Sequence, residues 1–138
     1  MTSEFAIAVH ALVFMNHEGH CLSSEKIAEQ VCTNPVTVRK VLAKLKRVGL
    51  VETKEGAEGG SCFVKHPAEV TLAQICSAMG EVPVTVSKRT AEQDRNCLLA
   101  LGMADVMEGI YTDLNVLCLE YLEQTTILDM ERRIFRSK

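Results

Sequence analysis

Residues 23–64 read SSEKIAEQVCTNPVTVRKVLAKLKRVGLVETKEGAEGGSCFV, and this stretch decides the predicted fold. Two serines favour the start of a first helix, and a short polar turn follows it. Asn34 and Pro35 suit the start of a second helix, which Gly49 ends. The remaining residues predict two strands joined by a glycine-rich turn. Helix, turn, basic helix and hairpin in this order predict a mainly α fold, a winged helix-turn-helix with a two-stranded β wing.

The sequence on either side of this stretch predicts further helices. Residues 4–17 are apolar on most sides, which is typical of a helix that is buried on most sides. Residues 71–79 predict another helix, which Gly80 stops. Residues 127–135 predict a short tail helix.

A long helix is predicted over residues 96–124, and its apolar residues recur in steps of four and three. This spacing is a heptad seam, which needs a partner helix. The same helix of a second subunit is the predicted partner, and the alternative is that the chain's first helix covers the seam. The predicted dimer-interface residues are Met103, Met107, Ile110, Leu114, Leu117 and Tyr121.

The chain is therefore predicted to have three parts. Residues 1–80 form the winged helix DNA-binding domain, residues 81–95 a polar linker, and residues 96–138 the dimerisation helix with the C-terminal tail.

The second helix of the motif predicts a DNA-binding surface. On a wheel of 100° per residue its valines and leucines share one face, and its cations lie on the opposite face with small residues between them. Small residues let the backbone approach the groove, and cations meet phosphates. The candidates for base contact are Thr37, Arg39 and Lys40, and those for phosphate contact are Lys44, Arg47 and Lys54. Two alternatives are a merely solvated charged face and a winged helix used only for protein–protein contact.

Charge and composition support a split of roles along the chain. The 138 residues carry a net charge of −3, yet residues 35–54 hold six basic side chains against one acidic one. No run of about 18 apolar residues suggests a membrane span, and no signal peptide is evident, so a cytoplasmic protein is expected. No nucleophile elbow or phosphate-binding loop is visible, so we expect no enzyme activity.

Six cysteines are widely spaced and form no Cys-x-x-Cys pair, which favours reduced thiols over a disulfide framework. Cys97 lies at the start of the predicted long helix, where a thiol is more easily oxidised, and is a candidate redox switch. The alternative is that these cysteines are small core residues. The tract His17, His20 and Cys21 offers three metal ligands without an evident fourth, so neither metal nor cofactor is expected.

The same residues resemble the Rrf-two family of bacterial transcriptional regulators. The similar pieces are FAIAVHAL, SSEKIAEQ, LKRVGLV, the wing EGAEGG and PAEVTLAQICSAM, in this order, followed by the long helix. The resemblance covers nearly the whole chain and implies a winged-helix homodimer that binds double-stranded DNA, most often as a repressor on a palindromic operator.

Two positions depart from the family pattern. The family's wing usually carries arginine before its first glycine, where this chain has Glu55, which implies a different operator. Members that bind an iron–sulfur cluster hold it with three closely spaced cysteines just before the long helix, where this chain has only Cys97. The resemblance therefore implies the cluster-free branch of the family.

Overall fold

The computed structural model describes residues 3–84 and 98–136, and it is mainly helical with one two-stranded antiparallel sheet. The predicted winged helix-turn-helix is confirmed. In chain order the elements are α1 (Ser3–Glu18), α2 (Ser24–Val31), α3 (Pro35–Arg47), β1 (Val51–Lys54), β2 (Gly60–Phe63), a 3₁₀ turn (Pro67–Glu69), α4 (Leu72–Ala78), α5 (Leu98–Glu123) and α6 (Ile127–Phe135).

Side-chain caps fix where the helices of the motif begin. The Ser23 hydroxyl accepts a hydrogen bond from the Lys26 N–H at 3.2 Å, and the Asn34 side chain accepts one from the Thr37 N–H at 2.8 Å. Each cap satisfies a backbone donor that the first turn of a helix leaves without a partner. Pro35 occupies the first turn of α3, as predicted, because no N–H is needed there.

The hydrophobic core forms around α1, which packs against α2, α3, α4 and α6. The predicted inner face of α3 is buried, which confirms its amphipathic pattern. One face of α4 is also buried, and burial of each face supplies most of the stability of such short helices. The buried residues of these two helices are Val38, Val41, Leu42, Leu45, Leu72, Ile75 and Cys76.

The chain returns to this core after α5. The Leu72 N–H donates to the Thr125 carbonyl at 2.9 Å, and the Ile127 N–H donates to the Val70 carbonyl at 3.0 Å. Leu122 and Ile127 are buried in the same apolar cluster as α1 and α3. The division of the chain into domains stays a prediction, and the end of α5 and α6 pack against the winged helix.

The apolar seam of α5 faces outward. This helix has 26 residues and is about 39 Å long. Five of the six predicted seam residues (Met103, Ile110, Leu114, Leu117 and Tyr121) are between 40% and 61% exposed. Among its described residues only Leu122 is buried. These exposures disfavour the alternative in which α1 covers the seam.

Gly60 lets the wing approach the loop before α2. The wing pairs Val51 with Phe63 and Lys54 with Gly60, and the next residue, Ser61, forms a bridge with Leu22 through two backbone hydrogen bonds of 2.9 and 2.8 Å. A Cβ on Gly60 would collide with the Leu22 carbonyl, and the φ of Gly60 is +134°. Only glycine accepts both conditions.

Gly60→Ala is therefore expected to lower the free energy of unfolding by about 3 kcal/mol, because the clash adds to the backbone strain. Urea unfolding followed by circular dichroism measures the loss. Gly56→Ala is the matched control, since Gly56 also has a positive φ but its Cβ would meet open space. Equal losses in the two variants would contradict the steric argument.

Candidate nucleic-acid interface

The outer face of α3 is open to solvent. Lys40, Ala43 and Arg47 are exposed on the side opposite the buried valines and leucines. Val36, in the first turn, is also exposed. The surface therefore has the predicted composition, with small or apolar side chains between cations. The opposite face of α3 is packed in the core, which fixes the position of the helix.

Thr37 and Arg39 lie near the start of α3 and already have partners. The Thr37 hydroxyl donates to the Asn34 side chain at 3.1 Å, so its lone pairs remain as acceptors. The Arg39 guanidinium donates to Glu25 on α2 at 2.7 Å, and both side chains are exposed. The Glu25 carboxylate accepts a hydrogen bond from the backbone N–H of Glu25 and another from Arg39, and together these hold the pKa of Glu25 below its usual value.

Glu4 pairs with two of the lysines of α3, Lys40 and Lys44. Its carboxylate accepts a hydrogen bond from Lys44 at 2.6 Å and forms an ion pair with Lys40 at 3.6 Å. The hydrogen bond from Lys44 is the main reason that the pKa of Glu4 lies below its usual value, and the charges of both lysines add to it. The Lys44 side chain is 27% exposed and that of Lys40 is 68% exposed, so Lys40 is the more accessible cation.

Glu4→Gln is expected to raise the affinity for duplex DNA several-fold, because it frees Lys40 and Lys44 to contact DNA. A fluorescence anisotropy titration measures this change.

The same substitution should alter the dependence of stability on pH. Because the pKa of Glu4 is lower in the folded state than in the unfolded state, its ion pairs stabilise the wild type fully at pH values above the unfolded pKa of about 4.3. This stabilisation is lost as the pH falls through the folded pKa. The variant should lack this acid-side loss.

The charge-matched control is Glu69→Gln, because Glu69 is an exposed acidic residue of the 3₁₀ turn. An equal gain in DNA affinity in both variants would attribute the effect to net charge and contradict the role of Glu4.

Lys54 is the sixth predicted contact and ends β1, directly before the turn of the wing. Its side chain is exposed. Glu55 and Glu58 in the following loop are exposed as well. Acidic side chains are repelled by phosphates, so the wing offers DNA less attraction than α3 does.

Two of the six cysteines are bonded to each other. Cys21 and Cys62 form a disulfide across 41 residues of sequence, so the expectation of reduced thiols is wrong for this pair. The loop before α2 and strand β2 had no spacing signal that could predict the pair. Cys76 is buried, as expected of a core residue, and burial raises the pKa of its thiol. Cys97 lies outside the described residues.

The histidines of the candidate metal tract point elsewhere. The His17 ring stacks on the Phe135 ring at 3.9 Å, and the His20 side chain contacts the Cys21 carbonyl at 3.0 Å. Within residues 3–84 and 98–136, no three side chains of histidine, cysteine, aspartate or glutamate are grouped to hold a metal ion.

Sequence reasoning missed the two acidic partners of the α3 cations, Glu4 and Glu25. Glu4 is 40 residues from Lys44, and no periodic pattern links them.

Among the described helices, none combines the length and hydropathy of a membrane span.

Comparison with known proteins identifies the family. Residues 1–133 match the model of the Rrf2 family, described as iron-dependent transcriptional regulators. YwnA of Bacillus subtilis, named as an HTH-type transcriptional regulator, is 34% identical over 79 residues, which are 57% of this chain and 58% of YwnA.

Solved structures share the fold. IscR of T. potens superposes with a TM-score of 0.76 at 17% identity, covering 100% of this chain and 90% of that one. CymR of B. subtilis, the global cysteine regulator, superposes with a TM-score of 0.71 at 16% identity, covering 96% of both chains. The matched family consists of regulators and not of enzymes, as the lack of catalytic motifs predicts. The chain belongs to the Rrf2 family of winged-helix transcriptional regulators.

Proposed function

We propose that this regulator binds a palindromic DNA operator as a homodimer in the cytoplasm and represses transcription there. The observation that carries the proposal is the open face of α3, where Lys40 and Arg47 are exposed while the opposite face is fixed in the core. A rigid helix with cations on its free side matches the major groove in shape and charge.

The contacts of the six candidate residues support a proposed role for each of them. Thr37, Arg39 and Lys40 lie in the first turns of α3, from which a recognition helix reaches base edges. Arg39 and Lys40 would exchange their carboxylate partners for DNA. Arg47 and Lys54 are exposed and suit phosphates. Lys44 is partly covered, so its phosphate contact requires release from Glu4.

The homodimer is supported by α5. The exposed apolar seam of α5 is unfavourable in water, and burial of this seam against the same helix of a second copy would stabilise the protein. A twofold dimer places two α3 helices on one face of the duplex. The operator half-sites are then about 34 Å, or a multiple, apart.

The described residues do not fit an iron site. Cys21 and Cys62 are bonded to each other, Cys76 is buried, and Cys32 and Cys118 are on separate elements. Three neighbouring thiolates are what a cluster needs. The proposed DNA binding therefore includes no step through iron.

Selection of bound sequences from random duplex DNA tests the proposal, followed by titration of the selected operator at 50 and 200 mM salt. A dimer that contacts about six phosphates should lose roughly a thousandfold in affinity across this range. In vitro transcription from a promoter that overlaps the operator should decrease on addition of the protein. Absence of duplex binding at low salt would favour the protein-only alternative, and increased transcription would contradict repression.

A further inference from the structure

The disulfide between Cys21 and Cys62 encloses the helix-turn-helix. Their Cα atoms lie 4.3 Å apart, they are separated by 41 positions in the sequence, and the segment between them includes α2, α3 and β1. We propose that this pair is a reversible thiol–disulfide exchange site for small anionic disulfides, and that its closure strengthens DNA binding.

The proposed function, on which this inference rests, places the protein in a reducing compartment. Disulfides found there are usually transient and serve catalysis or redox sensing, whereas permanent structural disulfides belong to oxidising compartments. The core of this chain contains the three helices of the winged helix and needs no covalent closure to form. The bond is therefore better explained as a changeable state than as a permanent staple.

An open cavity of about 710 Å³ gives small molecules access to Cys21. Cys21 lines it together with Lys26 and Lys54, and Glu58 is the acidic residue in the lining. This volume suits a molecule the size of a small disulfide. Two ammonium groups against one carboxylate favour an anionic reagent over a cationic one.

The backbone keeps the two cysteines adjacent whether or not they are bonded. Leu22 and Ser61, the neighbours of Cys21 and Cys62, exchange two backbone hydrogen bonds of 2.9 and 2.8 Å. The thiols of the reduced protein therefore remain close enough to react. This arrangement makes ring closure fast and reversal by excess thiol possible.

The exchange balances in two steps. The Cys21 thiolate attacks one sulfur of the small disulfide, a mixed disulfide forms on Cys21, and the first small thiol leaves. The Cys62 thiolate then attacks the Cys21 sulfur and releases the second small thiol. Two protein thiols are oxidised, and one small disulfide is reduced to two thiols.

Closure affects the DNA-binding surface through the wing. β2 carries Cys62 and pairs with β1, which ends at Lys54. The loop that carries Cys21 leads directly into Ser23, the cap of α2. A covalent link between them adds to the two backbone hydrogen bonds and further limits the motion of the wing relative to the helices before DNA binds, which lowers the ordering cost of binding. We expect the oxidised protein to bind its operator about three- to tenfold more tightly.

The proposed thiol–disulfide exchange is tested on the reduced full-length protein with two small disulfides, oxidised glutathione, which is anionic, and cystamine, which is cationic. Alkylation and mass spectrometry then identify the products. The wild type should form the Cys21–Cys62 bond, faster with glutathione, and dithiothreitol should reverse it. Cys62→Ser should stop at a mixed disulfide on Cys21. Cys32→Ser, which removes an exposed free thiol, should still close the bond.

The proposed effect on DNA binding is tested by comparing the affinities of oxidised and reduced wild type for the selected operator. This comparison requires no variant to fold. Failure of the pair to close and reopen overturns the proposal, and so does equal operator affinity in both states. If neither state binds duplex DNA, the proposed function fails, while the mass spectra still decide whether the pair exchanges. A faster reaction with cystamine would overturn the assignment of anionic reagents.

Discussion

Joint replacement of Lys40 and Arg47 by glutamine is expected to weaken operator binding about 100-fold at moderate salt. Each residue contributes a cation from the exposed face of α3, and loss of one such contact costs about 1–3 kcal/mol. The slope of log affinity against log salt should also fall by about 1.8, since Arg47 is the phosphate contact of the pair and the proposed dimer loses it twice. Anisotropy titrations at several salt concentrations measure both quantities.

The control removes the same charge from another part of the molecule. Arg132 and Arg136 are exposed cations on and just after α6, and their joint replacement by glutamine changes net charge equally. This variant should keep most of the affinity. If both double variants weaken binding alike, general electrostatic attraction is sufficient and the recognition role of α3 is contradicted.

Joint replacement of Ile110 and Leu114 by aspartate is expected to produce a folded monomer whose operator affinity is at least 100-fold lower. Both side chains are exposed in the single chain, so the substitutions remove no core contact from it. In a dimer the same positions would bury four carboxylates, which is costly without partners. The monomer also loses the gain from binding two half-sites together.

Analytical ultracentrifugation measures the mass, and far-ultraviolet circular dichroism confirms that the helices persist. Thr112→Asp is the control, because Thr112 is exposed on the side of α5 that faces away from the seam. It should remain dimeric. A wild type that sediments as a monomer at micromolar concentration would refute the dimer and the paired half-sites with it.

Local chemistry explains why so much of the fold was predictable. The caps at Ser23 and Asn34 and the stop after α3 depend on residues within one turn of the helix end. The buried face of α3 follows from helix periodicity alone. The candidate interface was predictable for the same reason, because the outer face of a helix is known once its inner face is known.

The features that escaped prediction join segments far apart in the chain. Glu4 meets Lys44, and Cys21 meets Cys62, across about 40 residues with no repeat or motif to signal the contact. The return of Ile127 to the core depends on backbone hydrogen bonds to Val70, which any residue can make. Such contacts depend on how the helices pack together, and the periodicity of the sequence does not predict them.

The attachment of α5 has a geometric consequence for the proposed dimer. Since Leu122 and Ile127 share a core with α3, a turn of the long helix is expected to carry α3 along. A change of about 10° in the crossing angle of two α5 helices would sweep a rod of about 39 Å through about 7 Å at its end, roughly two base-pair steps. A signal that alters only this angle would therefore select between operators of different spacer length.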